Sequence, residues 1–265
     1  MTDAGAARPL VRLTLDRVAL LELDAQPLNL ITGPLLEDLE AALEALEVSE
    51  PTDVRAVVLT GRGERAFSVG SNVKEFEAYR TLGGAEPFEL EARVAQRLAA
   101  LPMPTIAAIE GDALGGGLEL ALCCDLRVAA ETATLGLPEV RLAVTPSTGG
   151  TQRLPRVVGV GRAKELLLTG RIITAADAER IGLVNEVVPR GQAVARARAI
   201  GEEIAERGPL AVRAVKQLVD DALDRPLADG HVAEIEASVR IFATDDLLEG
   251  ARSFVEKRPP EYRGR

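Results

Sequence analysis

The chain has 265 residues and carries 31 Lys and Arg residues against 41 Asp and Glu residues, a formal net charge of −10. This length allows one large domain or two small ones, and the acidic balance argues against a nucleic-acid-binding protein because no broad excess of cations is available for phosphates. A single histidine and the adjacent pair Cys123 and Cys124 fit neither a zinc site nor a Ser-His-Asp site. No apolar run reaches membrane-spanning length, and buried reduced thiols are typical of the cytoplasm. We therefore expect a soluble, cytoplasmic protein with no metal and no membrane partner.

The first third of the chain predicts an alternation of strands and helices. Two strands are predicted at 11–15 and 18–23, joined by a tight turn. Gly33-Pro34 begins a helix whose leucines share one face, and the apolar run 56–61 predicts a strand covered on both faces. A glycine-containing turn at 62–72 then leads into a further helix.

The middle and the end of the chain differ in pattern. Strands are expected at 105–110, 126–130 and 183–188, helices at 88–101, 118–124, 162–169 and 175–181, and an irregular stretch at 134–140. A polar turn at 145–150 leads into another helix. From Gly191 the pattern is helical, with breaks at Gly208-Pro209, Arg225-Pro226 and near Thr244-Asp245. We therefore divide the chain into a core at 1–190 that carries the site and a helical region at 191–265.

One stretch, residues 111–125, indicates chemistry. A predicted strand leads through Gly115, Gly116 and Gly117 into an apolar helix, whose first N–H groups lack intrahelical partners and can be approached closely. Such N–H groups suit a polarised carbonyl oxygen, and Glu119 follows them within one turn. A purely structural interpretation is also open: the glycines would allow close packing of strand and helix, and Glu119 would interact only with the helix dipole. A dinucleotide loop is disfavoured because the spacing is not GxGxxG.

This stretch is one of a series of motifs that follow one another along the chain. They are found at 66–76, 111–125, 136–139, 149–154, 169–170, 182–185 and 254–258. Taken together, they make the chain resemble the enoyl-CoA hydratase/isomerase (crotonase) family over nearly its whole length. The resemblance implies an α/β fold built as a spiral of β-β-α turns, a C-terminal helical region that forms homotrimers or dimers of trimers, and acyl-CoA thioesters as substrates.

The resemblance also implies roles for four residues in catalysis. The backbone N–H groups of Ser71 and Gly116 match the family's oxyanion hole, which binds the thioester oxygen. Glu119 and Glu139 match the two glutamates that hydratases of the family use on water. Two carboxylates around one water allow one to act as base and the other, protonated, as acid.

Other positions match the family's contacts with CoA or depart from its pattern. Leu28, Phe254 and Lys257 correspond to CoA-binding positions, in addition to Ser71 and Gly116, and the last two reach the CoA of a neighbouring subunit. Asn72 stands where an Asp is common, and Ser147-Thr148 replace a small pair beside the expected water.

These matches predict an enoyl-CoA hydratase that adds water across a 2,3 double bond to give a 3-hydroxyacyl-CoA, a reaction of fatty acid metabolism. No cofactor is expected, because coenzyme A is part of the substrate. A Δ3-Δ2 enoyl-CoA isomerase, or another acyl-CoA lyase of the same fold, is the alternative. Isomerases tend to keep one glutamate, so Glu119 together with Glu139 favours hydration. A relative that binds RNA is disfavoured by the negative charge and by both glutamates.

Overall fold

The computed structural model describes residues 8–50, 53–82 and 84–265. Residues 1–7 of the predicted core lie outside the described residues. Within the described part, strands form two sheets, and three strands of the first sheet each lead into a short strand of the second.

The first sheet has six strands in the order β1-β2-β3-β5-β7-β10. Only β1 runs antiparallel to its neighbour, and the other pairings are parallel. The predicted strand 56–61 is buried throughout, as its continuous apolar character requires. The strands are β1 (Val11–Thr14), β2 (Val18–Leu23), β3 (Ala56–Gly61), β5 (Thr105–Ile109), β7 (Leu126–Ala130) and β10 (Glu186–Val188).

The second sheet has four three-residue strands in the order β4-β6-β8-β9. They are β4 (Ala66–Ser68), β6 (Asp112–Leu114), β8 (Thr134–Gly136) and β9 (Ile172–Thr174). Two expectations need correction here. The strand β5 does not lead directly into the glycine-started helix, because β6 lies between them, and the stretch expected to be irregular at 134–140 begins with β8. The successive pairs β3-β4, β5-β6 and β7-β8, each followed by helix, form the β-β-α spiral expected from the sequence.

Helices complete each turn of the spiral and make up the C-terminal part. Those before residue 190 are α1 (Gly33–Glu47), α2 (Phe76–Leu82), α3 (Glu86–Ala99), α4 (Gly116–Leu122), α5 (Gly150–Val158), α6 (Val160–Thr169) and α7 (Ala175–Arg180), with 3-10 turns at Val73–Glu75 and Glu139–Leu142. Those after it are α8 (Ala193–Ala205), α9 (Pro209–Asp221), α10 (Leu227–Phe242) and α11 (Asp245–Glu256). The breaks predicted in the C-terminal part coincide with the ends of these helices.

The helix α8 covers one face of the first sheet. Its small residues allow this close contact, since a Cβ placed on Gly201 would lie 2.7 Å from a methyl carbon of Val18 and 3.5 Å from the Cβ of Ala56. Ala193, Ala197 and Ala205 are also buried on this helix. The predicted boundary at residue 190 therefore separates two parts of the chain that pack against each other, and the division into domains stays a prediction.

The helix α4 is held firmly at its C-terminal end. The buried guanidinium of Arg127 on β7 donates hydrogen bonds to the carbonyl oxygens of Cys124 and Leu183 at 2.7 Å and of Ala121 at 3.3 Å. Two of these carbonyls, those of Ala121 and Cys124, lie at the C-terminal end of α4, where helix carbonyls lack the regular N–H donor from the next turn. The opposite end of α4, which carries the glycines and Glu119, is thereby fixed relative to the first sheet.

Candidate active site

The site is formed around the first residues of α4. Gly115 precedes the helix with a φ of +54°, and Gly116 is its first residue. The N–H of Gly116 has no acceptor within the helix because it stands at the first position. A Cβ on Gly117 would collide with the carbonyl of Ser68 on β4, so a glycine is required where the helix crosses the second sheet.

A second loop lies directly against Gly116. Gly70 has a φ of +84°, and a Cβ placed on it would lie 2.8 Å from the amide nitrogen of Gly116. Ser71 follows in a parallel bridge with Ile31, whose N–H donates to the carbonyl of Gly70 at 3.0 Å. The structure thus brings the Ser71 loop and Gly116 together, as an oxyanion hole requires.

Glu119 is anchored by one of its two carboxylate oxygens. Oε1 accepts the backbone N–H of Thr148 at 2.9 Å and that of Gly150 at 2.7 Å, and the residue is 2 % exposed. Burial raises the pKa of Glu119, and the two backbone hydrogen bonds oppose that rise. Oε2 lies 4.0 Å from the position of a Cβ on Gly116. One oxygen is therefore committed to the protein, and the other faces the start of α4.

Glu139, in the 3-10 turn after β8, approaches the same loop. Its Oε1 lies 3.5 Å from the position of a Cβ on Gly115. Both of its carboxylate oxygens are buried and have no hydrogen-bond partner among the described residues. Burial, with a smaller contribution from the charge of Glu119, raises the pKa of Glu139 to about 7. Glu119 and Glu139 thus lie against adjacent residues, and their environments differ in the way that separates an acid from a base.

A third carboxylate, which the sequence did not single out, borders the site. Glu91 on α3 is 7 % exposed and accepts hydrogen bonds from the hydroxyls of Ser71 at 3.2 Å, Ser147 at 3.3 Å and Thr148 at 3.1 Å. The position of Glu91 on its helix is a sequence signal that could have identified it as a buried acid. It shares a face with the buried residues Val94, Ala95 and Leu98, where an acid is unusual.

The comparisons with known proteins agree with this geometry. A family model described as enoyl-CoA hydratase/isomerase matches residues 15–265. The chain belongs to the enoyl-CoA hydratase/isomerase family. YngF of Bacillus subtilis, whose name assigns it to the same family, is 43 % identical to this chain over 250 residues. The match covers 94 % of this chain and 95 % of YngF. The short-chain-enoyl-CoA hydratase of Clostridium acetobutylicum is 38 % identical over 234 residues, covering 88 % of this chain and 89 % of that protein.

Solved structures extend the similarity to the fold. The crystal structure of an enoyl-CoA hydratase from Bacillus anthracis is 41 % identical in sequence and superposes with a TM-score of 0.92, covering 97 % of this chain and all of that one. The predicted family and the predicted crotonase-type fold are therefore confirmed.

The residues expected to bind CoA fall into two groups. Leu28 lies beside the site, because its carbonyl accepts the N–H of Val69 at 3.1 Å just before the Gly70 turn. Phe254 is 85 % exposed, and Lys257 is exposed with a φ of +53° at the end of α11. No hydrogen bond or ion pair of the described residues links Phe254 or Lys257 to the neighbourhood of Glu119. The structure does not bring them to the site of their own chain, and their role stays a prediction.

The departures from the family pattern have local explanations. Asn72 caps the 3-10 turn, since its Oδ1 accepts the N–H of Lys74 at 3.2 Å and its amide donates to Glu75 at 3.0 Å. Ser147 and Thr148 both donate to Glu91. Among the residues that the structure describes, no cluster of three His, Cys, Asp or Glu side chains is arranged to hold a metal ion, and no helix is long and apolar enough to cross a membrane.

Proposed function

We propose that this protein is an enoyl-CoA hydratase, which adds water across the 2,3 double bond of an enoyl-CoA thioester to give a 3-hydroxyacyl-CoA. The observation that carries the proposal is the pair of buried glutamates, each placed against one of two adjacent glycines at the start of α4. Relatives about 40 % identical along most of their length carry the name enoyl-CoA hydratase, which supports the same reaction.

In the proposed mechanism, the N–H groups of Ser71 and Gly116 bind the thioester oxygen as it acquires enolate charge. Donors fixed by the backbone need not reorganise when that charge develops, which makes them effective in a site from which water is excluded. Stabilisation of the developing enolate by these N–H groups lowers the barrier to attack of water at carbon 3. Binding of the thioester oxygen needs only backbone N–H groups of the protein.

The two glutamates divide the proton transfers. Glu119, whose Oε1 is fixed by two N–H donors, takes a proton from water through Oε2. Glu139, which has no hydrogen-bond partner among the described residues and a pKa raised to about 7, is about half protonated at pH 7, and its protonated form gives a proton to carbon 2. Water thus supplies the hydroxyl at carbon 3, and transfer of the proton from Glu119 back to Glu139 restores the starting state. This chemistry requires no resident cofactor, because the coenzyme A moiety belongs to the substrate.

The test is a panel of trans-2- and trans-3-enoyl-CoA thioesters of increasing chain length, with products analysed by mass spectrometry. A hydratase produces a species heavier by one water from the trans-2 substrates. Glu119→Gln and Glu139→Gln keep the shape of each side chain but remove its charge and its titration. Because both carboxyls are needed for the same addition, each variant should lose ~10²–10⁴ in turnover, and the double variant should be only slightly worse. An isomerase, which moves one proton between carbons, would tolerate one of the two substitutions and would convert trans-3 substrates without gain of water.

The helices after α8 support a further part of the proposal, assembly into a homotrimer or a dimer of trimers. They expose large apolar side chains, namely Val215, Val219, Leu227, Val232, Ile235, Val239 and Phe242. Large apolar side chains exposed in such number on neighbouring helices are typical of contact with another protein. We propose that other copies of the chain cover it, and that Phe254 and Lys257 contact the CoA bound by a neighbour. Sedimentation equilibrium of the wild type and of Val239→Glu tests the assembly, and a wild-type monomer would refute it.

A cytoplasmic location completes the proposal. Cys123 and Cys124 are buried free thiols, which supports a reducing compartment. Measurement of the protein in cell fractions tests this location directly.

A further inference from the structure

Glu91 connects two segments that are far apart in the sequence. Its Oε1 accepts the hydroxyl of Ser71, in the loop that follows β4, and its Oε2 accepts the hydroxyls of Ser147 and Thr148, in the turn before α5. These partners are 20, 56 and 57 residues away along the chain. A single side chain on α3 therefore joins both loops that the proposed reaction uses.

Each of these loops supplies backbone groups to the site. Ser71 supplies the N–H proposed to bind the thioester oxygen. Thr148 supplies an N–H that holds Glu119 Oε1 at 2.9 Å. In each of the three hydrogen bonds the hydroxyl donates and a carboxylate oxygen of Glu91 accepts, so all three hydroxyls direct their protons at Glu91. The orientation of both loops is thereby set by one acceptor.

We propose that Glu91 is a positioning residue for the reaction: by accepting the hydroxyls of Ser71, Ser147 and Thr148, it fixes the oxyanion-binding N–H relative to Glu119. This inference rests on the proposed function. It assigns no contact between Glu91 and the substrate, so Glu91 acts through the two loops.

The charge of Glu91 also affects the pKa of Glu119, the proposed proton acceptor. Glu119 is faced by Glu91 from α3 and by Glu139 from the 3-10 turn, and Cys123 lies directly after its own helix. The negative charge of Glu91 contributes to the raised pKa of Glu119, after burial as the main cause. Glu91 in turn faces Tyr79 on α2, which hydrogen-bonds Glu75 at 3.1 Å and whose pKa is raised to about 12, mainly by burial. Tyr79 therefore stays neutral over the range in which the enzyme is assayed.

The test separates the hydrogen bonds of Glu91 from its charge. Glu91→Ala releases all three hydroxyls, and we expect turnover of crotonyl-CoA to fall by up to ~10²-fold, the effect of a misplacement of about 1 Å, with KM near the wild-type value. Glu91→Gln can still bond the hydroxyls and should recover most of that loss. Both variants remove the charge, so the pKa of Glu119 falls. In both, the acid limb of kcat/KM should move to lower pH while the basic limb stays in place.

The matched control is Glu89, an exposed acid on the same helix. Glu89→Ala and Glu89→Gln should leave turnover and both pH limbs unchanged. If Glu91→Ala has wild-type turnover per folded molecule, or if its pH profile coincides with that of Glu89→Ala, the inference is wrong. Should Glu91→Ala fail to fold, a cycle of Ser147→Ala with Glu91→Met, which fills a similar volume but cannot accept the hydroxyls in this way, replaces it. Positioning through these contacts predicts non-additive losses in turnover, and strict additivity refutes it.

A second measurement distinguishes failure of this inference from failure of the proposed function. Hydrogen–deuterium exchange of the purified full chain needs no substrate. Glu91→Ala should speed exchange in both loops, at 69–72 and 145–150, while Glu89→Ala should not. An inactive wild type with this exchange pattern would overturn the hydratase reaction but keep the link between the loops. An active wild type without the pattern would overturn the role of Glu91 alone.

Discussion

Replacing Glu139 by glutamine tests the division of labour between the two glutamates. With a pKa of about 7, Glu139 is about nine-tenths protonated at pH 6 and about one-tenth protonated at pH 8. If the protonated form donates to carbon 2, kcat/KM on the basic side falls about tenfold between these two pH values. Glu139→Gln should abolish that basic limb and lower the rate by ~10²–10⁴. Loss of the ultraviolet absorbance of the conjugated thioester measures the rate across the pH range.

Stability gives an independent measure of the same carboxyl. Its pKa in the folded state, about 7, exceeds the ordinary value of 4.5, so the folded state binds the proton more tightly than the unfolded one. Stability is therefore lost as the pH rises from about 4.5 to 7, by at most ~3 kcal/mol at 1.36 kcal/mol per unit. Glu139→Gln carries no such penalty, so its melting temperature relative to wild type should rise over this range. Glu131→Gln, at an exposed acid, is the control. A rate that increases through pH 7, or a relative melting temperature independent of pH, would refute the reasoning.

Three further outcomes are expected. Ser71→Ala should keep most activity because its N–H survives and Glu91 still accepts the other two hydroxyls. Gly116→Pro removes a donor and should cost ~10²–10³ in turnover; an inactive but folded Ser71→Ala would contradict this. Lys257→Glu should raise KM for the CoA thioester at low salt by up to about fivefold with little change in turnover, and an unchanged KM would count against the CoA contact. Lys216→Met leaves Asp125 without its 2.7 Å ion pair; because Asp125 is partly exposed, the loss in unfolding free energy should fall below the ~3–5 kcal/mol of a fully buried pair, measured by urea denaturation.

The sequence predicted the longer elements because their periodicity is strong. The leucine face of α1, the continuous apolar strand β3 and the glycine and proline breaks between the C-terminal helices all lie where they were expected. The second sheet was not predicted. Its strands have three residues each, which is too short for an alternating pattern, and their pairing joins residues far apart in the chain.

The candidate site likewise contains residues that the sequence predicted and one that it did not. The positions of Glu119, Glu139, Gly116 and Ser71 were predicted from motifs, and the structure brings their segments together. Glu91 was missed because a glutamate on a charged helix is normally solvated. Its place on the apolar face of α3 does signal burial, but its partners are hydroxyls at least 20 residues away, which no local pattern shows.

The groups proposed to bind the oxyanion and the groups proposed for acid–base catalysis respond differently to mutation. The N–H groups of Ser71 and Gly116 belong to the main chain, so almost any substitution that preserves the turn preserves the donors, and only proline removes one directly. The carboxyl groups of Glu119 and Glu139, in contrast, can each be lost through a single codon change. In the proposed mechanism, stabilisation of an enolate is therefore the property least sensitive to substitution, and the reaction that the enolate undergoes can be altered one side chain at a time. New reactions on the same thioester substrates are accessible in small steps, without rebuilding the loops that hold the oxygen.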